Sequence, residues 1–505
     1  PALALREVLK WGPLRGLNNS NVAMFSGCSN LVLTGVTDTP DLSGITATTS
    51  MFRSCSSATT ISGVSSWNTA DVVDMSYMFN GTTNFNDNIG SWNVSGVTNM
   101  SYMFNSSSQF NNGGNSSISG WNVSNVTNME GMFRFGSFNQ DIGAWDVGNV
   151  TTMEVMFYHQ TNISGTGFNN GGSPSISGWN VSNVTLITLM FSGARSFNQP
   201  IGSWDMTNKT DLTRMLDDAR VFNQDVGSWN VSGVTNMTGL FRDTHAFNNG
   251  GSPSISGWNV SNVTDMSSMF GNTDTIAQPF NQPIGSWNVS SVQNMSGMFN
   301  RCTSFNQNIS SWNTSGVTNM SSMFLFATVF NQNIGSWNTD NVTLMNSMFQ
   351  SATAFNQDIS NWNTVKVTNM ANMFSNAVAF NSYVGTNGDK WNVSGVTSMS
   401  GMFSGATIFN NGGSAGTSTF PLTGWNTSNV TLMTAMFRND TAFNQDISTW
   451  DTRKVTNISN MFNGATLFNQ SVATNGNQWN VSGVTTMQGV FSGATGYTNL
   501  GQPLS

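Results

Sequence analysis

Residues 85–104 have the sequence FNDNIGSWNVSGVTNMSYMF, and close variants of this run follow one another along most of the 505 residues. Sixteen tryptophans from Trp67 to Trp479 mark the repeats, at spacings of 24 to 34 residues and most often 25. A second marker, Met-Phe with its degraded forms, occurs 18 times and bounds about 17 complete units. Internal repetition at a fixed period indicates an architecture built from stacked supersecondary units.

The longer repeats carry extra residues at two places only. Seven positions separate Phe222 from Trp229, whereas eleven separate Phe247 from Trp258, and the added residues are mostly Gly, Ser and Pro. A second kind of insertion precedes Phe280. Because repeat proteins accept insertions in loops outside the packed stack, both places are predicted to be surface loops.

One unit is too small to bury its own apolar residues, so the units are predicted to stack into a repeat solenoid of leucine-rich-repeat-like type. Phe and Ile have the same parity in residues 355–359, which predicts a short parallel strand there. The apolar residues between Val97 and Phe104 have the spacing of one helical face, which predicts a short helical or 3₁₀ segment on the opposite side. Stacking would also superimpose the 71 asparagines, whose side-chain amides are predicted to bond along columns.

Three parts are predicted along the chain. They are an N-terminal cap at residues 1–20, a solenoid of about 17 to 18 repeats at 21–495, and a C-terminal tail at 496–505. Trp11 is expected to cover the first unit, whereas the residues after Phe491 offer thin cover for an open edge. The start at Pro1, without an initiator Met, predicts a processed product or a fragment.

The composition excludes several classes of function. Charged residues make up only 8% of the chain, Lys and Arg number 16 together, and the net charge is −8. Such sparse positive charge forms no basic stripe, which argues against nucleic-acid binding and against a polybasic membrane patch. No apolar run reaches the roughly 18 residues that a membrane-spanning helix needs. The 35 Phe and 17 Trp residues predict a long folded core rather than disorder.

The unit at residues 349–370, FQSATAFNQDISNWNTVKVTNM, closely resembles the repeats of BspA-like leucine-rich-repeat surface proteins. The resemblance covers roughly residues 20–495 and recurs many times. It implies an extracellular solenoid, often associated with adhesion. It implies neither a catalytic residue nor a settled ligand.

Residue types that often carry chemistry fall on packing positions. Cys28, Cys55 and Cys302 each follow a Met-Phe marker by three residues, a slot that is usually Ala, and are predicted to be small buried side chains. The regular tryptophans are predicted to belong to the core rather than to a sugar-stacking surface. His159 and His245 lie in different units and are predicted to occupy surface loops. We therefore predict no catalytic residue, no metal site and no cofactor.

The motif Phe-Asn-Gln-Asp-Ile places polar side chains opposite apolar ones, on a face that we predict to be a candidate ligand face. Its residues are Asn223, Asp225, Asn356, Asp358, Asn444 and Asp446. Pro200 and Pro283 take the Asp position in two other units, which interrupts the run of oxygen ligands that a calcium column needs. Sequons such as those at Asn125 and Asn183 allow glycan attachment, but the repeat generates the same pattern by itself.

Two functions remain open from the sequence. The first is a non-enzymatic extracellular or cell-surface protein whose extended, weakly charged face binds a glycan or protein ligand in adhesion or recognition. The alternative is a structural subunit of an extracellular filament, a surface layer or a virion fibre, assembling as a homo-oligomer through the solenoid ends. An enzyme is the weakest of the three classes.

Overall fold

The computed structural model describes residues 5–12, 23–159, 167–385, 391–419, 421–472 and 479–498. The chain forms two compact units, residues 1–254 and 255–505, which we treat separately. In each unit every repeat makes one coil that lies on the coil before it. The predicted repeat solenoid is therefore present within each unit.

Successive coils are joined by single parallel bridges rather than by extended strands. The bridge residue is the Asn of Val-Thr-Asn-Met or its counterpart, as in the pairs Asp74–Asn99 and Asn99–Asn128 of the first unit. The same position links the coils of the second unit from Asp265 to Thr486. After each bridge, alternate N–H groups donate to the next coil; that of Met100, for example, donates to the Asn128 carbonyl over 2.9 Å.

The predicted places of strand and helix were wrong. Parallel pairing lies inside the segment that was predicted to be helical, and residues 355–359 form no strand. The turn after the bridge contains two residues with left-handed backbone, such as Tyr102 and Ser106 with φ of 55° and 58°, so neither a helix nor a strand continues. In residues 355–359 the N–H of Asn356 donates to a side chain, the Oδ1 of Asn331, instead of a backbone carbonyl. Parity in the sequence thus predicted which side chains are buried, but not how the backbone is paired.

Short 3₁₀ helices occur mainly in the inserted loops, not in every coil. In the part of the chain that the structure describes they are Val64–Ser66, Asn112–Gly114, Ser116–Gly120, Asn170–Gly172, Pro174–Gly178, Asn249–Gly251 and Pro253–Gly257. The insertion is tied down by a fully buried asparagine: Asn112 donates to the Asn115 carbonyl over 2.6 Å and accepts the N–H of Ile89 over 2.9 Å. The insertions are loops, as predicted, and they account for most of the 3₁₀ structure.

Columns of aromatic rings form the core of each unit. The Phe52 and Phe79 rings of successive coils stack with centroids 5.6 Å apart, and within one coil Phe104 and Phe110 stack at 3.8 Å. The sixteen repeat tryptophans are at most 7% exposed, which confirms that they belong to the core. Most donate their indole N–H to a carbonyl of the preceding coil, as Trp362 does to Ile334 over 3.1 Å. Because the indole N–H has an acceptor, burial of the tryptophan ring stabilises the packing of each coil on its neighbours.

Residues 5–12 cover the first coil of the first unit. Trp11 is buried and meets Phe25 and Trp67 edge-on, with centroid distances of 5.7 and 5.4 Å. The carboxylate of Asp38 accepts the N–H of Trp11 over 2.6 Å, which holds this segment in place. The rest of the predicted cap and the last seven residues of the predicted tail lie outside the described residues, so those boundaries stay predictions. Where the structure describes the chain, it contains no helix with the length and apolar character needed to cross a bilayer.

Candidate functional site

The asparagines of the Phe-Asn-Gln motif form a column in each unit. The Oδ1 atom of each accepts the backbone N–H of the corresponding residue in the next coil, over 2.7–3.0 Å from Asn86 to Asn248. In the second unit the same bonds run from Asn281 to Asn469 over 2.7–3.1 Å. The predicted asparagine columns therefore exist. Their acceptors pair with backbone N–H groups and, in several coils, also with the side-chain amide of a Gln in the next coil, as the Oδ1 of Asn331 does with Gln357 over 2.8 Å.

The asparagines of the candidate ligand face thus bind neighbouring coils. In the first unit the Oδ1 of Asn223 accepts the N–H of Asn248, and in the second that of Asn356 accepts the N–H of Asn381 and that of Asn444 the N–H of Asn469. A ligand at these positions would have to share an acceptor already in use. The structural role of these three residues explains their repetition, while ligand binding at them stays a prediction.

The aspartates of the candidate ligand face are more open to solvent. Asp225 and Asp358 are exposed and Asp446 is half-buried. One oxygen of each accepts the N–H two residues further on, as Asp358 does from Ser360 over 2.9 Å. Burial raises the pKa of Asp225, but hydrogen bonds, led by that of the Ser254 hydroxyl, hold it below its usual value overall.

The buried slot three residues after the Met-Phe marker holds the cysteines, as predicted. All three are buried and free. The Cys55 thiol donates to the Phe25 carbonyl of the preceding coil over 3.0 Å, just as the Thr82 hydroxyl donates to Phe52 over 2.6 Å. Burial raises the pKa of Cys55 to about 12, so this thiol is inert.

The prediction that His159 lies in a surface loop was wrong. His159 is only 7% exposed, and its backbone N–H donates to the Ser192 carbonyl over 2.8 Å. It follows Phe157 by two residues, at the second turn position of its coil, so its backbone is part of the coil-to-coil bonding. His245 is half-buried.

The sequence prediction missed a surface of the first unit where the turns after the bridges carry large side chains. We call it the aromatic–arginine face, and its residues are Arg53, Tyr77, Tyr102, Arg134, Phe135 and Tyr158. Arg53 is exposed and the other five residues are half-buried. Three of the five tyrosines of the chain lie here.

Stacking orders this face. The rings of Tyr77 and Tyr102 lie nearly parallel, with centroids 5.1 Å apart, and a Cβ at Gly131 would overlap the ring of Tyr102. The guanidinium carbon of Arg134 lies 4.2 Å from the centre of the Phe135 ring and 5.6 Å from that of Tyr158. Tyr77 thus stacks on the Tyr102 ring, and Gly131 leaves the space that this ring occupies free of a side chain.

The backbone beneath the aromatic–arginine face is strained. Tyr77, Tyr102 and Phe135 have φ of 57°, 55° and 56°, in the left-handed region that suits Gly and Asn. Bulky residues in this region cost roughly 1–3 kcal/mol each, and such strain tends to be kept where function needs it. The signal was present in the sequence, because these positions are Ser, Gly or Asn in most other repeats.

An acid lies beside the stacked tyrosines. The Tyr102 hydroxyl donates to the Glu130 carboxylate over 2.5 Å. Burial, together with this hydrogen bond to a carboxylate, raises the pKa of Tyr102 above its usual value, so the phenol stays protonated. Glu154 in the next coil accepts the Thr188 hydroxyl over 2.6 Å.

Two further charged side chains occupy core positions. Lys209 stands where neighbouring repeats have Val, is fully buried, and donates through Nζ to the Val181 carbonyl over 2.6 Å. Burial lowers the pKa of Lys209 to about 8. Asp440 stands in the usual Ala slot of the second unit, and burial raises its pKa well above the usual range, although the N–H groups of Ala442 and Phe443 oppose this rise.

The family of the chain follows from matches that span nearly all of it. The family model described as "Mycoplasma protein of unknown function, DUF285" matches residues 19–116, 113–170, 161–279, 252–343, 307–416 and 413–502. The chain belongs to this family. Successive matches overlap, as expected for a chain built from a repeated coil. No curated protein sequence matches the chain.

Two solved structures show a distant likeness. A leucine-rich repeat protein from Bacteroides ovatus is 10% identical over 74% of this chain and 75% of its own, with a TM-score of 0.27. TLR13, in a complex with ssRNA13, is 9% identical over 93% of this chain and 84% of its own, with a TM-score of 0.15. These scores are too low to carry an argument, so the fold rests on the coil-to-coil contacts themselves.

Proposed function

We propose that this protein is a non-enzymatic recognition module, displayed outside the cell, that binds a glycan or protein ligand in adhesion. The observation that carries the proposal is the aromatic–arginine face, where Tyr, Phe and Arg side chains lie together and three of the aromatic residues, Tyr77, Tyr102 and Phe135, have left-handed backbone. Tyr and Arg are the side chains that dominate the energetics of protein interfaces. The low charge of the remaining surface leaves neutral contacts as the main source of further affinity.

The test is direct binding. The purified chain is applied to arrays of glycans and of extracellular-matrix proteins, and saturable binding is expected on at least one class. A paired variant, Asp358→Ala with Asp446→Ala, examines the candidate ligand face of the second unit separately. Absence of saturable binding on both arrays would contradict the proposal.

An extracellular or cell-surface location is part of the same proposal. It is supported by the resemblance of residues 349–370 to surface-protein repeats. Labelling of intact cells of the source organism with a membrane-impermeant reagent is expected to modify the protein without lysis. Labelling only after lysis would place the protein inside the cell instead.

One observation favours the alternative of a structural subunit. An apolar cavity of about 390 Å³ lies at the last described coil and is lined by Trp479, Val481, Met487 and Phe491 among others. Met487 is 48% exposed there, whereas its counterparts Ile458 and Met433 are buried. Under this alternative the chain forms fibres or ordered layers at high concentration in electron micrographs, and Met487→Glu abolishes them.

A further inference from the structure

Two arginines of the aromatic–arginine face lack the carboxylate partner that several other arginines of the chain have. Arg195, Arg220 and Arg242 are paired with aspartates, at nitrogen–oxygen distances of 2.7–2.9 Å. Among the described residues, Arg53 and Arg134 form no such pair, and their guanidinium groups make no hydrogen bond. The Nε atom of Arg134 is buried without an acceptor. An unsatisfied buried donor of this kind is costly and calls for a physical reason.

Both guanidinium groups instead contact aromatic rings. The guanidinium carbon of Arg53 lies 5.7 Å from the centre of the Tyr77 ring, and that of Arg134 lies 4.2 Å from the centre of Phe135. An arginine held over a ring is pre-organised, because its planar guanidinium group loses little further conformational entropy when it forms hydrogen bonds. A carboxylate suits the guanidinium group well, because it accepts two parallel N–H···O hydrogen bonds.

Two glutamates on the same surface indicate which class of ligand supplies the carboxylate. Glu130 lies in the same coil as Arg134 and Glu154 in the next one, and they are two of the three glutamates of the chain. A uniformly charged acidic polysaccharide would meet these carboxylates and be repelled. A protein segment avoids the repulsion because its carboxylates can be widely spaced, and Tyr and Arg suit protein partners.

The repeat fixes the spacing of the two arginines. Arg53 and Arg134 take the same position in coils that are three steps apart, with Asn80 and Asn105 between them. Three steps of about 4.8 Å give a separation of about 14 Å. An extended peptide covers this distance in about four residues, at about 3.4 Å per residue.

We propose that the aromatic–arginine face of the first unit binds an extended acidic segment of a partner protein, with two carboxylates about four residues apart seated on Arg53 and Arg134. The apolar edges of Tyr77, Tyr102 and Phe135 then contact the residues between the carboxylates. This inference rests on the proposed recognition function and names the partner class for one surface.

The experiment selects peptides from a displayed library of random dodecapeptides on the immobilised full chain. Enriched sequences are expected to carry Asp or Glu in pairs about four residues apart. Synthetic copies of them are expected to bind about tenfold or more weakly to the double variant Arg53→Ala with Arg134→Ala. Arg134→Lys keeps the charge but loses the planar fork, and weaker binding is expected for it too.

A matched control lies in the second unit. Arg301 packs over Phe326, with its guanidinium carbon 4.1 Å from the ring centre, but no tyrosine ladder adjoins it. Arg301→Ala is therefore expected to leave peptide binding unchanged. Circular dichroism and melting curves of each variant check that the fold is retained.

Several outcomes would overturn the inference. They are a library without enrichment, enriched peptides that lack acidic pairs, equal binding to the double variant, and arginine-dependent binding that appears only on acidic glycans. The first result can be separated from a failure of the recognition function. If the chain binds a glycan or matrix array and the double variant binds it equally well, recognition stands while the acidic-peptide assignment falls.

Discussion

The turns after the bridges differ between the two units although the coils beneath them are alike. The first left-handed position of the turn holds Tyr77, Tyr102 and Val155 in the first unit, but Ser347 and Asn372 in the second. At this first position the second unit thus uses small side chains or Asn, whereas the first carries several bulky ones at a cost in stability. At the second left-handed position the second unit also holds bulky residues, Arg301 and Phe326. A repeat protein can thus keep one core and vary one surface.

The largest change in stability is expected for substitutions in the tryptophan core that both units share. Trp204 in the first unit and Trp362 in the second are both buried, and each donates its indole N–H to an Ile carbonyl of the preceding coil. Trp204→Ala and Trp362→Ala are each expected to lower the free energy of unfolding by about 3–5 kcal/mol, because each leaves a large cavity. Urea denaturation of the two variants measures this, and clearly unequal losses would show that the cores are not equivalent.

A stabilising change is expected in the core of the first unit. Lys209→Val restores the residue that neighbouring repeats carry, and it is expected to raise the free energy of unfolding by about 3 kcal/mol at pH 7. The folded pKa of about 8 lies below the ordinary 10.5, so the penalty for the buried charge is complete below pH 8. It disappears as the pH rises to 10.5. Urea midpoints of parent and variant should converge over this range, and a constant difference would contradict the assignment.

The second unit has a buried acidic group, Asp440, whose effect on stability has the opposite dependence on pH. Asp440→Ala is expected to stabilise the protein by about 1–3 kcal/mol at pH 7, because Asp440 is a buried carboxyl in an apolar slot. Its folded pKa is raised, so stability is lost as the pH rises above the unfolded value of 3.8. The gain from the variant should therefore vanish below pH 3.8. Asp446→Ala, at a half-buried surface position, serves as the control.

The smallest change in stability is expected when one turn residue is exchanged between the units. Val155 and Asn372 occupy the same left-handed position, with φ of 49° and 55°. Val155→Asn is expected to raise stability by about 1 kcal/mol and Asn372→Val to lower it by a similar amount. Hydrogen exchange of the two coils locates the changes. Effects of equal sign in the two variants would show that strain is not the source of the difference between the surfaces.

Periodicity carried the prediction of coil stacking, of the inserted loops and of the buried tryptophans and cysteines, because all of these depend on which side chains face inward. Periodicity failed for the backbone. Residues 355–359 alternate like a strand, yet the Oδ1 of Asn331, not a backbone carbonyl, accepts the N–H of Asn356. The pattern of apolar residues cannot reveal that a side-chain oxygen, instead of a backbone carbonyl, accepts a backbone N–H.

The aromatic–arginine face was missed for a different reason. The consensus repeat hides single departures from it, and Tyr77, Tyr102 and Phe135 are such departures. They could have been found by asking which residues break the repeat instead of which maintain it. Lys209 and Asp440 could have been found in the same way, since each replaces a small or apolar residue.

The coil-to-coil bonds have a consequence for how such chains change over generations. Each coil donates alternate N–H groups to its successor and offers equivalent groups to its predecessor, so its upper and lower surfaces match those of any other regular coil. Gain or loss of a whole repeat by recombination therefore creates no new interface. The protein can lengthen or shorten its reach while the tyrosines and arginines of one segment keep their mutual spacing.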